Sequence, residues 1–316
     1  MSFQKMQSMS RWKLNALALF FLLDTLARAV WRRKGDGVRG LVRYPWFMSK
    51  YLVELVVGFF LLTWRVRIIL SAYAWFRRVD DIMDKDAEPP QGYTRESYLV
   101  QKQEVVASLP NISNCSVPLL TEDLLLVHLL RESNRCGVDV VKEVVNLWSV
   151  MCWDNKRRSR EALATREEMT HYATLQDDSI LGVYVKVFNG DTRHFCEVSR
   201  LLAGIFTKTD WLSDLDGDLQ KGIVNIPQES FAEYNLELSR LLACKSWEDL
   251  QTVPGFTSWY VEEVKTLDKR WTETRAVLGQ NFGGTFSSRL LIFVFQKFMV
   301  GEFECAFEEL SSRVRI

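Results

Sequence analysis

The sequence predicts an all-α fold, and three observations support this prediction. The 316 residues include only 7 prolines and 16 glycines, so long helices meet few forced breaks. Apolar residues recur at intervals of three and four, as at Val141, Val144, Leu147 and Met151. No stretch shows the sustained strict alternation of apolar and polar residues that an all-β chain needs. With 47% hydrophobic residues, the chain can form one large core or two ordinary ones.

The composition excludes several classes of protein. Lysine plus arginine equals aspartate plus glutamate at 40 each, so the net charge indicates neither a nucleic-acid partner nor an acidic one. The six cysteines form no CxxC pair and no cluster with the three histidines, which argues against structural zinc and against a disulfide framework. This cysteine usage is typical of a reducing compartment, and we expect a cytoplasmic protein.

The N-terminal segment is strongly basic. The first fifty residues carry ten basic side chains and two acidic ones. The apolar runs at 16–23 and 55–64 are both shorter than the roughly 20 residues that a membrane-spanning helix needs. We predict a basic extension or amphipathic helix at 1–48 and one helical domain at 49–316. Three interpretations of the start remain open: the first helices of the bundle, which we favour, a peripheral contact with an anionic membrane, and a leader peptide.

Proline- and glycine-containing breaks divide the rest of the chain into helices. No internal repeat, low-complexity tract or flexible linker divides it further, so the sequence predicts a single helical domain. The breaks lie at 35–45, 88–92, 109–111, 189–191, 222–227 and 253–255.

Two acidic segments carry aspartates at helical spacing. Asp80 and Asp84 are four residues apart at the end of a predicted buried helix, so their carboxylates project from one face. Asp81 points roughly 100° away from that face. We call Asp80 and Asp84 the first aspartate row. The second aspartate row lies on a predicted helix and consists of Asp210, Asp214 and Asp218.

Like charges one turn apart destabilise an isolated helix by a few tenths of a kcal/mol per pair, so a cation is expected at each row. Either row alone could be solvated surface, but two rows that each follow an apolar helix favour a metal site. Mg²⁺ prefers oxygen ligands and is often shared between carboxylates and a substrate phosphate. Metal ions and basic side chains stabilise the charge on a departing diphosphate. The 11 tryptophans and 19 phenylalanines can build an apolar pocket for the carbocation left behind.

Two segments resemble the motifs of the squalene/phytoene synthase family of head-to-head prenyltransferases. In the first, residues 73–84, a tyrosine and an arginine precede a DxxxD pattern. The second, residues 210–227, reads DxxxDxxxD followed by a basic-Gly stretch and a proline. The similarity runs over residues 60–310, although between the motifs only the hydrophobic pattern matches.

This resemblance implies an isoprenoid synthase α fold, a helical bundle around a central cavity with the metal site at its mouth. It implies a prenyl diphosphate substrate of the farnesyl or geranylgeranyl class. Asp154 also lies near an acidic position of the family. No GxGxxG follows a strand, and no C-terminal anchor like that of eukaryotic squalene synthases is seen, so we expect no NAD(P)H step. The residues expected to hold Mg²⁺ are Asp80, Asp84, Asp210, Asp214 and Asp218, and those expected to face the diphosphate are Tyr73 and Arg77.

The sequence departs from the family pattern at several positions. Ser213 stands where the family usually has arginine, and Ile223 and Asn225 stand where it has arginine and tyrosine. Asp177 and Asp178 lie where the family has a small-residue kink in an apolar helix. Each change removes a diphosphate contact or adds a polar group to the cavity wall. We slightly favour the interpretation that both of these aspartates face solvent over one in which they bind substrate and steer a carbocation or a polar acceptor.

Other basic residues can replace the positive charge that these departures remove. Lys221 is a candidate substrate-binding residue, proposed from its charge alone. Further candidates, chosen on charge alone, are Lys186, Arg193, Arg313 and Arg315.

Three functions remain open at this point. The first is Mg²⁺-dependent coupling of two prenyl diphosphates, as the resemblance implies. The second is a class I terpene synthase or a non-standard prenyltransferase that uses one prenyl diphosphate. The third is a non-catalytic assembly protein of the same fold, against which the repulsion within the aspartate rows argues.

Overall fold

The structure is a computed structural model that describes residues 64–84, 87–110, 116–158, 163–188, 202–278 and 301–314. Within these ranges every regular element is an α-helix, which confirms the all-α prediction. The chain divides into two compact units, unit 1 at Met1–Trp148 and unit 2 at Ser149–Ile316. The predicted extension at 1–48 and its boundary lie outside the described residues, so both remain predictions.

Four described helices begin in unit 1, and the division between the units falls inside the fourth. They are α1 (Trp64–Met83), α2 (Arg95–Ala107), α3 (Asp123–Arg135) and α4 (Val141–Arg158). Unit 2 continues with α5 (Arg166–Phe188), α6 (Ile205–Ser213), α7 (Leu215–Gln220), α8 (Gln228–Glu233), α9 (Leu238–Ala243), α10 (Trp247–Thr252), α11 (Phe256–Leu278) and α12 (Gly301–Val314). None of the helices in the described ranges is long and apolar enough to cross a membrane.

Polar contacts between α1 and α3 fix the rotation of α1 about its axis. Buried polar groups need partners, and two hydrogen-bonded pairs and one ion pair occur here at one-turn intervals along α1. The residues of α1 in these pairs lie roughly 200° around the helix from the stripe that carries Tyr73 and Asp80. That stripe therefore faces away from α3, and Tyr73 is 50% exposed. The pairs are Arg67 with Glu132 (3.6 Å), Ser71 with His128 (2.8 Å) and Trp75 with Asp123 (3.3 Å).

A fully buried lysine links α2 to the start of α3. The Lys102 side chain is 0% exposed, and its Nζ lies 2.6 Å from Asp123 Oδ1 and 2.9 Å from Glu122 Oε1. Gln101 donates a further hydrogen bond to the second oxygen of Asp123 at 3.0 Å. A buried charge is tolerated only when it is paired and hydrogen-bonded, so these contacts fix how the two helices pack.

In unit 2, α6 is the central short helix and contacts α5, α11 and α12. Its buried side chains include Ile205, Thr207, Thr209 and Leu212, whereas Asp210 is exposed. The apolar face of α6 is thus covered by longer helices, and the face that carries Asp210 is accessible.

Candidate active site

The first aspartate row continues a helical stripe on α1. Asp80 lies in the last turn of α1 and Asp84 in the turn that directly follows it, and the Asp84 N–H donates to the Asp80 carbonyl at 2.8 Å. The backbone hydrogen bond preserves the four-residue spacing that the sequence predicts. Tyr73 and Arg77 precede the row at intervals of four and three, so all four side chains share one face.

Arg77 supplies the row with an adjacent positive charge. Its Nη1 donates to Asp80 Oδ2 at 3.0 Å, and its Nε lies 3.3 Å from Asp81 Oδ1. Burial lowers the pKa of Arg77, but the neighbouring carboxylates outweigh it, so the pKa lies above its ordinary value. The guanidinium is therefore always charged beside the row. Its contact with a diphosphate stays a prediction.

The turn that carries Asp84 is held by the first residue of α2. Arg95 Nε donates to the Ile82 carbonyl at 3.2 Å, and its Nη2 donates to the Ala87 carbonyl at 3.4 Å and to Glu88 at 3.2 Å. The last carbonyls of a helix lack partners within the helix, and a basic side chain can satisfy them. This contact closes the end of α1 next to the first aspartate row.

The second aspartate row is divided between two helices. The prediction of one continuous helix is wrong at Asp214, which has φ −93° and ψ 6° and separates α6 from α7. Serine, aspartate and glycine, which occupy positions 213, 214 and 217, are weaker helix formers than alanine or leucine. The carbonyl of Ser213 also accepts a hydrogen bond from Arg313 at 3.2 Å.

The spacing of the second row nevertheless survives this break. The Asp214 N–H donates to the Asp210 carbonyl at 2.9 Å, and the Asp218 N–H donates to the Asp214 carbonyl at 2.8 Å. Each aspartate is therefore one helical turn from the next, as predicted. Asp210 and Asp214 are exposed, and Asp218 is partly buried.

Asn225 contacts the last aspartate of the second row. Its side chain is 3% exposed, and its Nδ2 donates to Asp218 Oδ2 at 2.5 Å. Ile223 is also buried, and its N–H donates to the Asp218 carbonyl at 2.8 Å. Sequence analysis treated position 225 only as a lost diphosphate contact. In the structure Asn225 instead donates a hydrogen bond to a predicted metal ligand.

Arg313, 100 residues away in the sequence, places a positive charge next to Ser213. Besides its bond to the Ser213 carbonyl, Arg313 of α12 lies 4.0 Å from Asp216 and 5.0 Å above the ring of Trp247. Among the other charge candidates, Lys221 is exposed at the end of α7 and Lys186 lies in the last turn of α5. Arg193 and Arg315 lie outside the described residues.

The two aspartates of α5 differ in environment. Asp178 is exposed, but Asp177 is 1% exposed, so the favoured interpretation that both face solvent is wrong for Asp177. Asp177 accepts hydrogen bonds from the N–H groups of Phe206 (3.1 Å) and Thr207 (3.3 Å) and from the Thr207 hydroxyl (2.7 Å). Burial, opposed by these donors, raises the pKa of Asp177 to about 7. Substrate binding by either aspartate stays a prediction.

An aromatic cluster in unit 2 was missed by sequence analysis. Trp153 stacks on Tyr172 with ring centroids 4.2 Å apart, and Trp211 lies 6.4 Å from Trp153. The Arg157 guanidinium lies 4.8 Å from the centroid of Trp153 and 5.5 Å from that of Trp211. Arg157 also donates to Asp154 at 2.8 Å, so this acidic position is part of an ion pair. The spacing of three between these two residues was the only sequence signal for the pair.

A small cleft in unit 2 lies next to α6. Its volume of about 50 Å³ holds a few water molecules and is too small for a prenyl chain. The predicted substrate cavity is therefore not this cleft. The lining residues include Lys208, Trp211, Asn225, Trp259 and Glu263.

The predicted ligand set fits magnesium only when a substrate shares the ion. Within the described ranges, no group of three or more acidic, histidine or cysteine side chains could hold a metal by itself. The rows offer carboxylates one turn apart, and Mg²⁺ characteristically uses one or two carboxylates together with water and phosphate oxygens. The residues fit a metal–diphosphate complex and do not form a metal cage made only of protein groups.

Comparisons with known proteins agree with the motifs. Residues 54–256, more than half of the chain, match the family described as squalene/phytoene synthase. No curated protein sequence matches the chain.

Two solved structures are similar over nearly the whole chain. The squalene synthase HpnC from Alicyclobacillus acidocaldarius has a TM-score of 0.57 at 14% identity, covering 94% of this chain and 98% of that one. A dehydrosqualene synthase in complex with a ligand has a TM-score of 0.53 at 13% identity, covering 94% and 99%. These similarities confirm the isoprenoid synthase α fold. Together with the match over residues 54–256, they lead to one conclusion: the chain belongs to the squalene/phytoene synthase family.

Proposed function

We propose that this protein ionises a prenyl diphosphate of the farnesyl or geranylgeranyl class with Mg²⁺ and couples the carbocation to a second prenyl chain. The family and the fold indicate a prenyl-transferring enzyme, for which prenyl diphosphates are the implied substrates. The observation that carries the finer proposal is the one-turn spacing of both aspartate rows. The spacing continues past the end of α1 and through the break at Asp214.

The proposal gives the side chains distinct roles. The carboxylates of each row would supply oxygen ligands to Mg²⁺ bound with the substrate diphosphate. When bound, Mg²⁺ neutralises the negative charge that develops as the carbon–oxygen bond breaks and its electron pair moves to the diphosphate. Arg77 contributes a fixed positive charge beside Asp80, and the exposed hydroxyphenyl group of Tyr73 lies on the same face to donate a hydrogen bond.

One observation favours the alternative that the enzyme uses a single prenyl diphosphate. Both Ile223 and Asn225 have buried side chains, and that of Asn225 is bound to Asp218. Neither replaces the arginine and tyrosine contacts that the resemblance led us to expect. If those contacts hold a second diphosphate in the family, this chain would act as a class I terpene synthase or a non-standard prenyltransferase.

The test is to incubate the purified protein with farnesyl or geranylgeranyl diphosphate, with Mg²⁺ or with a chelator, and without NADPH. Released diphosphate is quantified and the products are identified by mass. A hydrocarbon of doubled length, or its cyclopropyl precursor, supports coupling, and products of single chain length support the alternative. Release in the presence of the chelator would refute the metal-dependent mechanism. No release under any condition would leave the non-catalytic assembly protein as the better interpretation.

A further inference from the structure

The N-terminus of α6 has no cap of its own. Its N-cap residue is Gly204, with φ 75° and no side chain to accept a hydrogen bond from the first N–H groups of the helix. A side chain cannot be added there without strain, because φ is left-handed and a Cβ atom would lie 3.3 Å from the Cβ of Ala173. The cap must come from another part of the chain.

Asp177 of α5 supplies this cap. One of its carboxylate oxygens accepts the N–H of Phe206, and the other accepts both the N–H and the hydroxyl of Thr207. Arg270 of α11 donates to the Ala203 carbonyl at 2.6 Å, just before the same helix end. The first turn of α6 is therefore held from two neighbouring helices.

The turn of α6 that Asp177 caps directly precedes Asp210, the first residue of the second aspartate row. Asp210 is four residues after Phe206 and three after Thr207, so it begins the next turn of the same helix. A change in where α6 begins, or in its rotation, moves the Asp210 carboxylate with it. Displacements of about 1 Å at a catalytic group can cost about a hundredfold in rate.

We propose that Asp177 is a positioning residue that fixes the start and rotation of α6, and thereby the direction in which Asp210 meets the metal–diphosphate complex. This inference rests on the proposed function, because it assigns Asp210 to that complex. It also explains why the Asp177 carboxylate is buried: the three donors offset part of its desolvation, and no side chain at 204 can replace it.

Three variants test the inference. Asp177→Asn keeps one acceptor oxygen but turns an amide N–H₂ toward an N–H donor. Thr207→Val removes only the hydroxyl donor and retains the size of the side chain. Asp268→Asn, at an exposed position on α11, is the matched control. Each protein is measured without prenyl substrate, by hydrogen exchange of the α6 amides and by calorimetric binding of Mg²⁺ with inorganic diphosphate.

For Asp177→Asn we expect faster exchange at residues 206–210 and metal–diphosphate binding weakened by about tenfold, the lower end of the range for residues that orient metal ligands. We expect Thr207→Val to change both readouts in the same direction by a smaller factor, and Asp268→Asn to match the wild type. The milder variant decides the question if Asp177→Asn fails to fold.

Faster exchange with unchanged binding would show that Asp177 is only a structural cap and would overturn the inference. Failure of the proposed function has a different signature: the wild type itself would neither bind metal and diphosphate nor release diphosphate from a prenyl substrate. That result would remove both proposals together.

Discussion

The two aspartate rows share a spacing but differ in how they are held. In the first row, Arg77 contacts Asp80 three residues away on the same helix. In the second row, Asp177 reaches α6 from 30 residues away and Arg313 reaches Ser213 from 100 residues away. Local contacts thus serve one row, whereas the geometry of the other depends on how distant helices pack.

Because of this difference, we expect the geometry of the second row to change more easily than that of the first row. The first row begins in α1 and ends in the turn that follows it, and its contacts come from Arg77 and from Arg95 at the start of α2. A row divided at Asp214 can change direction when any of its supporting contacts changes. We therefore expect substitutions on distant helices to alter metal binding at the second row more than at the first row.

The largest effect should come from removing a carboxylate of either row. We expect Asp80→Asn and Asp214→Asn each to lower diphosphate release by about a thousandfold, or about 4 kcal/mol of transition-state stabilisation. Helical circular dichroism should not change, because both side chains lie on accessible faces. The control is Asp268→Asn, an exposed aspartate of α11. A loss in only one variant would show that the rows do not act on the same diphosphate.

The next largest effect is a pH dependence of the free energy of unfolding. It arises from Asp177, which holds the helix that carries Asp210. Burial raises the pKa of Asp177 from 3.8 to about 7, so between these values the folded state binds more protons than the unfolded state. The free energy of unfolding therefore falls as pH rises from about 4 to about 7, by at most about 4 kcal/mol for this group. The support of the first row, a guanidinium, does not titrate in this range.

Urea unfolding of the wild type and of Asp177→Asn, at several pH values from 4.5 to 8, measures this dependence as a difference between the two proteins. The advantage of the wild type should decline toward pH 7 and then stay constant. Glu167→Gln, at an exposed position on α5, should follow the wild type at every pH. A difference that does not vary with pH would contradict burial as the cause.

Unit 1 offers a third prediction, on the packing that orients the first row. Lys102→Met should lower the free energy of unfolding by about 3 kcal/mol at pH 7, because Glu122 and Asp123 would be left buried without their cation. Trp75 of α1 donates to Asp123, so α1 should also loosen. Lys142→Met is the matched control at an exposed position on α4. Urea unfolding checks the value, and a loss below about 1 kcal/mol would indicate that the cluster is solvated.

Sequence analysis predicted local features well because their causes are local. Helix boundaries coincide with the predicted proline- and glycine-containing breaks, for example after Gln220 and before Phe256. The spacing of both rows was also confirmed, since backbone hydrogen bonds between residues four apart produce it.

The features that were missed depend on tertiary contacts. The break at Asp214 occurs beside an arginine from α12, and the role of Asp177 depends on a helix end 30 residues later. The burial of Asp177, but not of Asp178, was missed because it depends on the packing of α6 against α5. Asn225 was interpreted as a lost diphosphate contact, because its hydrogen bond to Asp218 is likewise a tertiary contact that the sequence does not reveal.

The smallest effect we predict tests whether Asn225 orients the end of the second row. Asn225→Ala removes the 2.5 Å hydrogen bond to Asp218 and so weakens the restraint on the rotamer of that carboxylate. The Mg²⁺ concentration for half-maximal activity should rise by about tenfold, while the rate at saturating Mg²⁺ stays within about twofold. Gln220→Ala is the control, because Gln220 is an exposed amide of α7 that donates to the Lys245 carbonyl. If the Mg²⁺ requirement does not change, other contacts orient Asp218, and the second row is less dependent on its neighbours than the contrast with the first row implies.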